Sequence, residues 1–516
     1  MNIETNIAED PLNFIEQLAN EKNQLEGKLA QAIEENRWLR EQLHLAKSKI
    51  YGSSSEKSAC VQFDLYPNDQ PEADAAETDF QAETSSDEEN DTKVRRKKVV
   101  GRRIDTSKLE RETIIHDLTE EEKCCKCCQS QLVKIGEERS EQLEYIPAKL
   151  KVKEHVRIKY ACRSCETITT GEKPASPVPK CMAGGSLLAA VIINKYQYHL
   201  PMYRQSQIFL SNGIDIPPNT LVNWALRAFE VLAPISTALW EQLKMILVLQ
   251  ADETRVKVLD KNKQGYMWCY LSCDPDNRFA LFAYDDTRSG NAAEDHLASF
   301  KGLLQSDGYS GYNALRNKEY ITSFGCMAHC RRKFVEALKV SDNKSSKAKH
   351  AVELIKKLYV IEANAVNLKF EERQKLRQEK AKPLLDEFHV WLMESSLKVG
   401  AKSKLSMAIN YALNQWPYLS AYVDHGEVEI DNNWCENQIR PFALGRKNWM
   451  FVGNQHGADA AAMFYSLIQT CKLNDIPPGP YLTYLLSNVE AMRKGTVEPK
   501  SLLPQFIDRS QLASGV

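Results

Sequence analysis

The segment MILVLQAD, residues 245–252, begins the part of the sequence that decides the fold. Its apolar run is typical of a buried β-strand, and an aspartate follows directly. Five further strand-like segments come before residue 326, namely TRVKVLD, YMWCYLSC, FALFAYDD, GLLQSDG and YITSFG. We expect a short helix between them, around residues 290–299. The pattern predicts an α/β core.

Helical patterns flank this core on both sides. Before it, LLAAVIINKYQYHL, YRQSQIFLSNG and IPPNTLVNWALRAFEVL predict three helices within residues 185–235. After it, residues 328–430 are almost entirely helical in pattern, and a last helical segment covers residues 457–492. The expected layout is an α/β core with a large helical insertion and helical flanks.

The second and third of the early helices are joined by Gly213 and a Pro pair, with Asn219 or Thr220 able to cap the third. This arrangement is compatible with a helix-turn-helix, whose second helix enters the major groove of DNA. A plain helical hairpin fits the same spacing, so both interpretations stay open.

Residues 12–50 carry a heptad pattern of mostly apolar a and d positions. Five heptads favour a coiled coil. Asn36 at an a position lowers the stability of such a pair but fixes its register, which favours a parallel dimer. The alternative is a helix that packs on its own chain.

Charge is unevenly distributed along the 516 residues. The formal net charge is −2, yet residues 58–92 contain eleven acids and neither Lys nor Arg, so the rest of the chain carries +9. We expect the acidic stretch to be a disordered linker, because its composition cannot bury a core. The run KVRRKKVVGRR, residues 93–103, suits phosphate contact, with a solvated tether as the alternative.

Composition excludes several classes of protein. Hydrophobic residues make up 43% and charged residues 26%, which argues against a collagen-like, mostly disordered or small disulfide-stapled chain. No apolar run reaches the ~18 residues that a membrane span needs. The N-terminal sequence MNIETNIAEDPLNF lacks the features of a secretory signal, so we expect a cytoplasmic protein.

Six of the fourteen cysteines lie in two clusters, CCKCC at residues 124–128 and the pair Cys162 and Cys165. Structural disulfides are not expected without an export signal. Each cluster offers a C-x-x-C pair, and four thiolates satisfy tetrahedral zinc. The sequence therefore predicts a zinc ribbon with short strands over residues 104–175, and redox-active or buried structural cysteines are the alternative.

The first cluster allows two pairings, Cys124 with Cys127 or Cys125 with Cys128. We prefer Cys125 and Cys128, because QSQL follows Cys128 as the usual turn after a zinc knuckle does. Both pairings have the same internal spacing, so spacing alone does not separate them.

Cys326, His329 and Cys330 also lie close together in the sequence. They offer ligands for a second metal ion. A helix start with incidental cysteines is the better interpretation of this short segment.

Three acids are distinguished by their context. Asp252 follows the apolar segment ILVLQ, Asp307 follows GLLQS, and Glu436 lies in DNNWCENQIRP, which is typical of a polar helix. Two strand-end aspartates and a helical glutamate can converge on two Mg²⁺ ions, which suit phosphoryl transfer. Taken alone, each acid also fits an ordinary turn or helix cap.

Over almost its whole length the sequence resembles the DDE transposases of the bacterial insertion-sequence-66 family. The matching N-terminal blocks are YGSSSEKS, CKCCQSQLVKIGEERSEQLEYIPAKLKVKEHVRIKYACRSC, LLAAVIINKYQYHLPMYRQSQIF and TLVNWALRAFEVL. The later blocks are QADETRVKV, LLQSDGYSGY, GCMAHCRRKF, LYVIEANAV, SKLSMAINYALNQWPYL, EIDNNWCENQIRPFALGRKNWMFVGNQHGA and YSLIQTCKLNDIPPGPYL. Asn437 departs from the Arg that often follows the family's glutamate, which bears on a DNA-backbone contact. Gln129 and Ser130 replace the glycines usual after the first knuckle.

The resemblance implies a multidomain α/β protein with a ribonuclease-H-like mixed sheet and a large helical insertion. Asp252, Asp307 and Glu436 match the family's triad, which holds Mg²⁺ or Mn²⁺. The family's zinc domain supports Zn²⁺ ligands at Cys125, Cys128, Cys162 and Cys165. The implied enzyme cleaves DNA at the ends of its element and joins the resulting 3′-OH to target DNA.

Double-stranded DNA is the implied partner, both as terminal inverted repeats and as target, and the implied location is the bacterial nucleoid. Further implied partners are a second copy, paired through the coiled coil, and accessory proteins of the same element. A solvated helix face is the alternative for the helical cations among the candidate DNA contacts. These candidates are Arg95, Arg96, Lys97, Lys98, Arg102, Arg103, Arg204, Thr220, Arg331, Arg332, Lys333, Arg440, Arg446 and Lys447.

Two other functions compete with an active transposase. One is a catalytically inactive DNA-binding regulator, against which the presence of all three acids argues. The other is a metal-dependent nuclease that performs no strand transfer.

The expected domains follow the order of the motifs. They are a coiled coil (12–50), an acidic then basic linker (58–103), the zinc ribbon (104–175), a helical DNA-binding domain (180–240), the catalytic core (245–340 and 425–455), the helical insertion (341–424) and a C-terminal helical domain (456–516).

Overall fold

The computed structural model describes residues 22–29, 35, 150–161, 168–170, 176–179, 181–260, 263–340 and 347–515. The chain divides into two compact units. One unit is Asn68–Glu172, and the other combines Met1–Pro67 with Lys173–Val516. No helix in the described part of the chain is long and apolar enough to cross a membrane.

Part of the predicted N-terminal helix is observed. Residues 22–29 are helical, and Leu25 and Leu29, which occupy a d and an a position, are 65% and 61% exposed. The rest of the 12–50 heptad segment, apart from residue 35, lies outside the described residues. Pairing with a second chain therefore stays a prediction.

The unit Asn68–Glu172 contains a small antiparallel sheet. Its strands are β1 (Lys159–Ala161) and β2 (Ile168–Thr170), with Tyr160 opposite Thr169. The two strands flank the second C-x-x-C pair in the sequence, which agrees with strands around the cysteines. Cys125, Cys128, Cys162 and Cys165 lie outside the described residues, as do the basic run 93–103 and the acidic stretch.

The larger unit is built on a five-stranded mixed sheet. Its strands are β3 (Val248–Val258), β4 (Lys263–Ser272), β5 (Ala280–Asp285), β6 (Gly302–Gln305) and β7 (Ile321–Phe324). Their order across the sheet is β5-β4-β3-β6-β7. The β3–β4 and β4–β5 pairs are antiparallel, whereas β3–β6 and β6–β7 are parallel.

The prediction of two strands, MILVLQAD and TRVKVLD, was wrong, because β3 is one continuous strand. Its residues from Leu249 to Val258 all pair with β4, so the backbone has no break at Asp252. The pattern changes midway because the first half of β3 is buried on both faces, whereas Arg255 and Lys257 near its end face solvent.

Four helices precede the sheet. They are α1 (Gly185–Tyr196), α2 (Met202–Ser211), α3 (Pro218–Val231) and α4 (Ala233–Trp240), and a 3₁₀ turn (Glu241–Met245) follows them. The predicted three early helices are thereby confirmed, and α4 is a fourth. Gly213 has a φ of +81° in the connection between α2 and α3, a conformation that glycine adopts readily.

The predicted cap of α3 was wrong. The helix begins at Pro218, so Asn219 and Thr220 lie in its first turn, and Pro217 occupies the cap position without a side-chain bond. Proline is favoured at the first helical position because its fixed φ suits the helix and the missing N–H would be unpaired there anyway.

The remaining helices surround the sheet. Two short helices connect the strands, α5 (Gly290–His296) and α6 (Asn313–Arg316). After β7 comes α7 (Met327–Val340), and the expected insertion then consists of α8 (Lys347–Ala365), α9 (Phe370–Leu376), a π turn (Arg377–Ala381), α10 (Lys382–Ser396) and α11 (Lys404–Ser420). The chain then forms α12 (Asn433–Trp449), α13 (Gln455–Leu473), α14 (Pro478–Ser487) and α15 (Val489–Arg493).

Two hydrophobic cores hold this unit together. The first joins the sheet to the early and C-terminal helices, with Trp268, Phe282 and Tyr465 among its large buried side chains. The second lies inside the helical insertion and reaches the sheet through Val248 and Phe324. The layout of an α/β core with a large helical insertion and helical flanks is confirmed.

Candidate functional site

The parallel register of β3 and β6 brings two aspartates to the same level. Gln250 of β3 lies opposite Gln305 of β6, and each is followed two residues later by an aspartate, Asp252 or Asp307. Asp252 was expected at a strand end. It lies within β3 instead, because β3 continues beyond its pairing with β6. Both acids therefore lie where β6 ends.

A buried glutamine pair links this edge of the sheet to the segment that enters α12. Gln250 Nε2 donates to Gln305 Oε1 at 2.9 Å and to the carbonyl of Asp431 at 2.9 Å. Gln250 Oε1 accepts from the backbone N–H of Cys435 at 3.0 Å, and Gln305 Nε2 donates to the carbonyl of Glu429 at 2.7 Å. These bonds fix the first turn of α12 against β3 and β6.

Glu436 lies in that first turn, on the residue after Cys435. Its Oε2 is 3.4 Å from Nη2 of Arg332, and its Oε1 is 3.6 Å from Nδ1 of His329. Burial is the main cause that lowers the pKa of His329, whereas the charge of Glu436 raises it. Glu436 Oε1 and His329 Nδ1 are both buried without a hydrogen-bond partner among the described residues.

The neighbouring acids act electrostatically on Asp252. Burial raises the pKa of the Asp252 carboxyl well above its usual range, and the charges of Glu253, Glu436 and Asp307 raise it further. A buried carboxyl beside other acids disfavours its own ionisation unless a cation offsets the charge. The carboxylate oxygens of Asp252, Asp307 and Glu436, with Glu436 Oε1 unpartnered among the described residues, suit a hard divalent ion such as Mg²⁺.

A different group of ligand atoms includes Glu436 but neither aspartate. Among the described residues, Cys326, His329 and Glu436 form a group of three whose ligand atoms all lie within 4.8 Å of one another. Cys326 Sγ already accepts from the backbone N–H of Asn432, and burial raises the pKa of its thiol well above the usual range. Since metals bind the thiolate, this cysteine is better suited to packing.

Cys330 does not join this group, because it packs in the core of the insertion. The helix start expected at this segment is confirmed, since α7 begins at Met327. The structure thus favours the interpretation of incidental cysteines over a second metal site.

The loop that carries Asp307 is fixed from two sides. Asp307 Oδ1 accepts from the backbone N–H of Tyr309 at 2.9 Å, and its carbonyl accepts from Nη2 of Arg316 at 2.9 Å. A Cβ on Gly308 would lie 2.8 Å from the ring of Tyr411 in α11. The glycine therefore lets the insertion approach the Asp307 loop.

The insertion also orders the segment that leads to α12. Arg377 is fully buried and binds both carboxylate oxygens of Glu362, with Nε–Oε1 3.0 Å and Nη2–Oε2 2.5 Å. Its Nη1 donates to the carbonyls of His425 at 2.5 Å and Val428 at 2.8 Å. A planar guanidinium has the fixed donor geometry that such a junction needs.

The candidate DNA contacts that the structure describes lie on four helices. On α7, Arg331 is half-buried, while Arg332 and Lys333 are exposed. On α12, Arg440 and Lys447 are exposed, whereas Arg446 is half-buried and donates to Thr254 Oγ1 at 3.1 Å. Arg204 on α2 is exposed and Thr220 on α3 is half-buried.

The sequence reasoning missed three polar residues behind the acids. Gln250 and Gln305 are fully buried, and Asp431 accepts from the hydroxyl of Tyr359 at 2.6 Å. A signal was present, because Q-x-D occurs at both aspartates, as QAD and QSD. Its meaning depends on the strand register, which a single sequence does not reveal.

Family models match three regions of the chain. The model described as "Transposase IS66 family" covers residues 180–460, more than half of the chain. The model "zinc-finger binding domain of transposase IS66" covers residues 122–166, and "Transposase C of IS166 homeodomain" covers residues 38–114.

Two relatives from Sinorhizobium fredii are similar over most of the chain. The uncharacterized protein y4hP is 35% identical over 405 residues, which are 74% of this chain and 72% of the relative. The uncharacterized protein y4jD is 34% identical over 400 residues, or 74% of this chain and 78% of the relative. With the family model matched over the sheet, the insertion and α12, the chain belongs to the IS66 family of transposases.

Proposed function

We propose that the protein is an active DNA transposase with a ribonuclease-H-like DDE core. The observation that supports the proposal is that Asp252 and Asp307 follow paired glutamines at one edge of the sheet, and that one of these glutamines bonds to the helix turn that carries Glu436. The charges of Asp307 and Glu436 also contribute to the raised pKa of Asp252. The strand order β5-β4-β3-β6-β7, with three antiparallel and two further parallel strands, supports the ribonuclease-H-like assignment.

Asp252, Asp307 and Glu436 would hold Mg²⁺ or Mn²⁺. Bound there, the metal would supply charge neutralisation and activation of the attacking oxygen. The chain's own residues prepare the acids: Gln250 and Gln305 fix α12 against the sheet, and Arg332 holds the Glu436 carboxylate.

The reaction has two phosphoryl-transfer steps. Water attacks a phosphodiester at the element's end, the bond to the 3′ oxygen breaks, and a free 3′-OH remains. That 3′-OH then attacks a phosphodiester of target DNA, the bond between its phosphorus and the target's 3′ oxygen breaks, and the element is joined to the target's 5′ phosphate while a target 3′-OH leaves. Exposed cations on α12, the helix that carries Glu436, would contact DNA phosphates and so position both substrates; they are Arg440 and Lys447.

The other regions would recognise the DNA and pair the subunits. We propose the domain boundaries expected from the sequence as part of this assignment. The matched zinc-finger domain supports a Zn²⁺ site, for which we propose Cys125, Cys128, Cys162 and Cys165. This domain, the 93–103 run and the α2–α3 pair, with Arg204 and Thr220, would bind terminal repeats. The exposed Leu25 and Leu29 support a coiled-coil dimer, and we place the protein on the bacterial nucleoid.

One assay separates the candidate functions. The purified protein is incubated with a labelled element end, Mg²⁺ and a target plasmid. Joined product supports the transposase, cleavage alone supports a nuclease without strand transfer, and binding alone supports an inactive regulator. Asp307→Asn should abolish cleavage and joining but retain binding, and full cleavage by this variant would refute the triad.

A further inference from the structure

The edge of β3 that carries Asp252 is open over the middle of the strand. β6 pairs with β3 only as far as Gln250, and the next backbone partner on that side is Val452, which bridges to Val258. Between these points, side chains of α12 and of the segment before it donate hydrogen bonds to two backbone carbonyls of β3. Asn432 Nδ2 donates to that of Ala251 at 3.3 Å, and Arg446 Nη1 donates to that of Arg255.

A cavity of about 310 Å³ lies against this part of β3 and reaches the neighbouring strand β4. It is lined by Glu253, Thr254, Arg255, Tyr266, Arg288 and Arg446. Three of these six side chains are guanidinium groups, and a fourth, Tyr266, offers an aromatic face. We call this cavity the arginine pocket.

One positive charge in the arginine pocket is already balanced. Arg288 Nε donates to Glu253 Oε1 at 2.8 Å, and the Tyr312 hydroxyl donates to Glu253 Oε2 at 2.7 Å. The Arg288 guanidinium also lies 3.7 Å above the ring centre of Tyr309. Glu253 and Arg288 therefore form a fixed, neutral wall.

Two positive charges remain without a carboxylate. Neither Arg255 nor Arg446 forms an ion pair with any described residue. Burial is the main cause that lowers the pKa of Arg446, and the charge of Arg255 lowers it further, which reflects two like charges held close together. A pocket of this kind is stabilised by a bound anion, and guanidinium groups fit phosphate oxygens in pairs.

We propose that the arginine pocket binds a backbone phosphate of the DNA strand held at the acids, within about three nucleotides of the scissile phosphate. The proposal rests on the proposed function. Asp252 and Arg255 are three residues apart on β3, or ~10 Å along a strand, and this odd spacing points their side chains to opposite faces of the sheet, so the DNA strand would pass across the open edge of β3 between them. Nucleotides of one DNA strand advance ~3.4 Å each along the helix axis.

The test measures binding of the full-length protein to an element-end duplex without divalent ions. Arg255→Gln is the main variant, because this side chain is exposed and its loss should not disturb folding. Arg493→Gln is the matched control, since Arg493 is an exposed arginine on α15 paired with Glu490. Each protein is titrated at several salt concentrations and with duplexes that carry one neutral methylphosphonate near the cleavage position.

Arg255→Gln should weaken binding about tenfold and reduce the slope of log affinity against log salt by ~0.9, whereas Arg493→Gln should change neither. At one position within three nucleotides, the methylphosphonate should weaken wild-type binding but leave the variant's binding unchanged. If the losses of affinity caused by the methylphosphonate and by Arg255→Gln simply add at every such position, the pocket does not bind that phosphate. The proposal is also overturned if Arg255→Gln binds the duplex as tightly as the wild type.

The same preparation distinguishes a failure of the pocket from a failure of the proposed function. Wild-type protein that cleaves and joins DNA, with additive effects for Arg255→Gln, contradicts the pocket alone. Wild-type protein that neither binds nor cleaves the element end contradicts the transposase and therefore the pocket as well.

Discussion

At the scale of single residues, burial and like charge act together on the Asp252 carboxyl. Both raise its pKa, so in the metal-free protein its ionised form is disfavoured. Asp252→Asn removes this charge and should stabilise the metal-free protein at neutral pH. Mg²⁺ at one hundred times its Kd should stabilise the wild type by ~2.7 kcal/mol and the variant much less.

Thermal unfolding in EDTA and in Mg²⁺ measures both effects. Asp276→Asn is the control, because Asp276 is an exposed aspartate after β4. An equal Mg²⁺-induced rise of the melting temperature in Asp252→Asn and in wild type would show that Asp252 binds no metal.

Asp431 provides a second test at this scale, one that does not depend on metal. Burial raises its pKa from 3.8 to about 6, although Tyr359 donates a hydrogen bond that lowers it. Because the folded-state pKa is raised, the stability that the neutral carboxyl contributes is complete below pH ~4 and is lost as pH rises through about 6. The loss is ~3 kcal/mol for a shift of this size.

Asp431→Asn cannot ionise, so it should gain stability relative to wild type by up to ~3 kcal/mol between pH 4 and 7. Urea unfolding of both proteins in EDTA across this range measures the difference. A difference that is constant with pH would contradict the raised pKa of Asp431.

Single residues were predictable from the sequence where local context marks them. Asp307 follows the apolar strand β6 and Glu436 lies in a polar helix, as expected, whereas Asp252 was marked by the apolar run before it but lies within β3. Gln250 and Gln305 carried no such mark, because a glutamine in a strand is ordinary until the partner strand is known. The contacts of Arg332 and Arg446 depend on how α7 and α12 pack. They join residues that are far apart in the sequence, so local patterns do not predict them.

At the scale of elements, the docking of α12 onto β3 and β6 depends on few polar bonds. Gln250→Ala would leave the N–H of Cys435 and the carbonyl of Asp431 without their partner, at ~1–3 kcal/mol for each buried group left unsatisfied. Glu436 would lose its fixed position beside the aspartates. We expect lower stability and a several-fold higher Mg²⁺ concentration for half-maximal cleavage.

Gln264→Ala is the matched control, because Gln264 is an exposed glutamine on β4 of the same sheet. Cleavage of a labelled element end over a range of Mg²⁺ concentrations gives the comparison. An unchanged Mg²⁺ requirement in Gln250→Ala would mean that the glutamine pair stabilises the fold without positioning Glu436.

Element positions were largely predictable, whereas element boundaries were not. The strands at β4, β5, β6 and β7 were found because their apolar runs are bounded by turn residues. β3 was divided in two because its burial changes midway while its pairing with β4 does not. The start of α3 was placed too late because a Pro pair can precede a helix or open it.

At the scale of the whole molecule, the net charge of −2 hides a segregation of charge. Eleven acids lie within residues 58–92, directly before the seven cations of residues 93–103. A tethered acidic segment competes with DNA for a neighbouring basic surface, most strongly at low salt where screening is weak. Deleting residues 63–92 should therefore tighten non-specific DNA binding at low salt and have little effect at high salt.

A variant of full length with the eleven acids changed to Asn and Gln separates charge from length, and it should behave like the deletion. Titration of labelled non-specific duplex measures both, and unchanged affinity at low salt in the neutralised variant would exclude competition by the acidic segment.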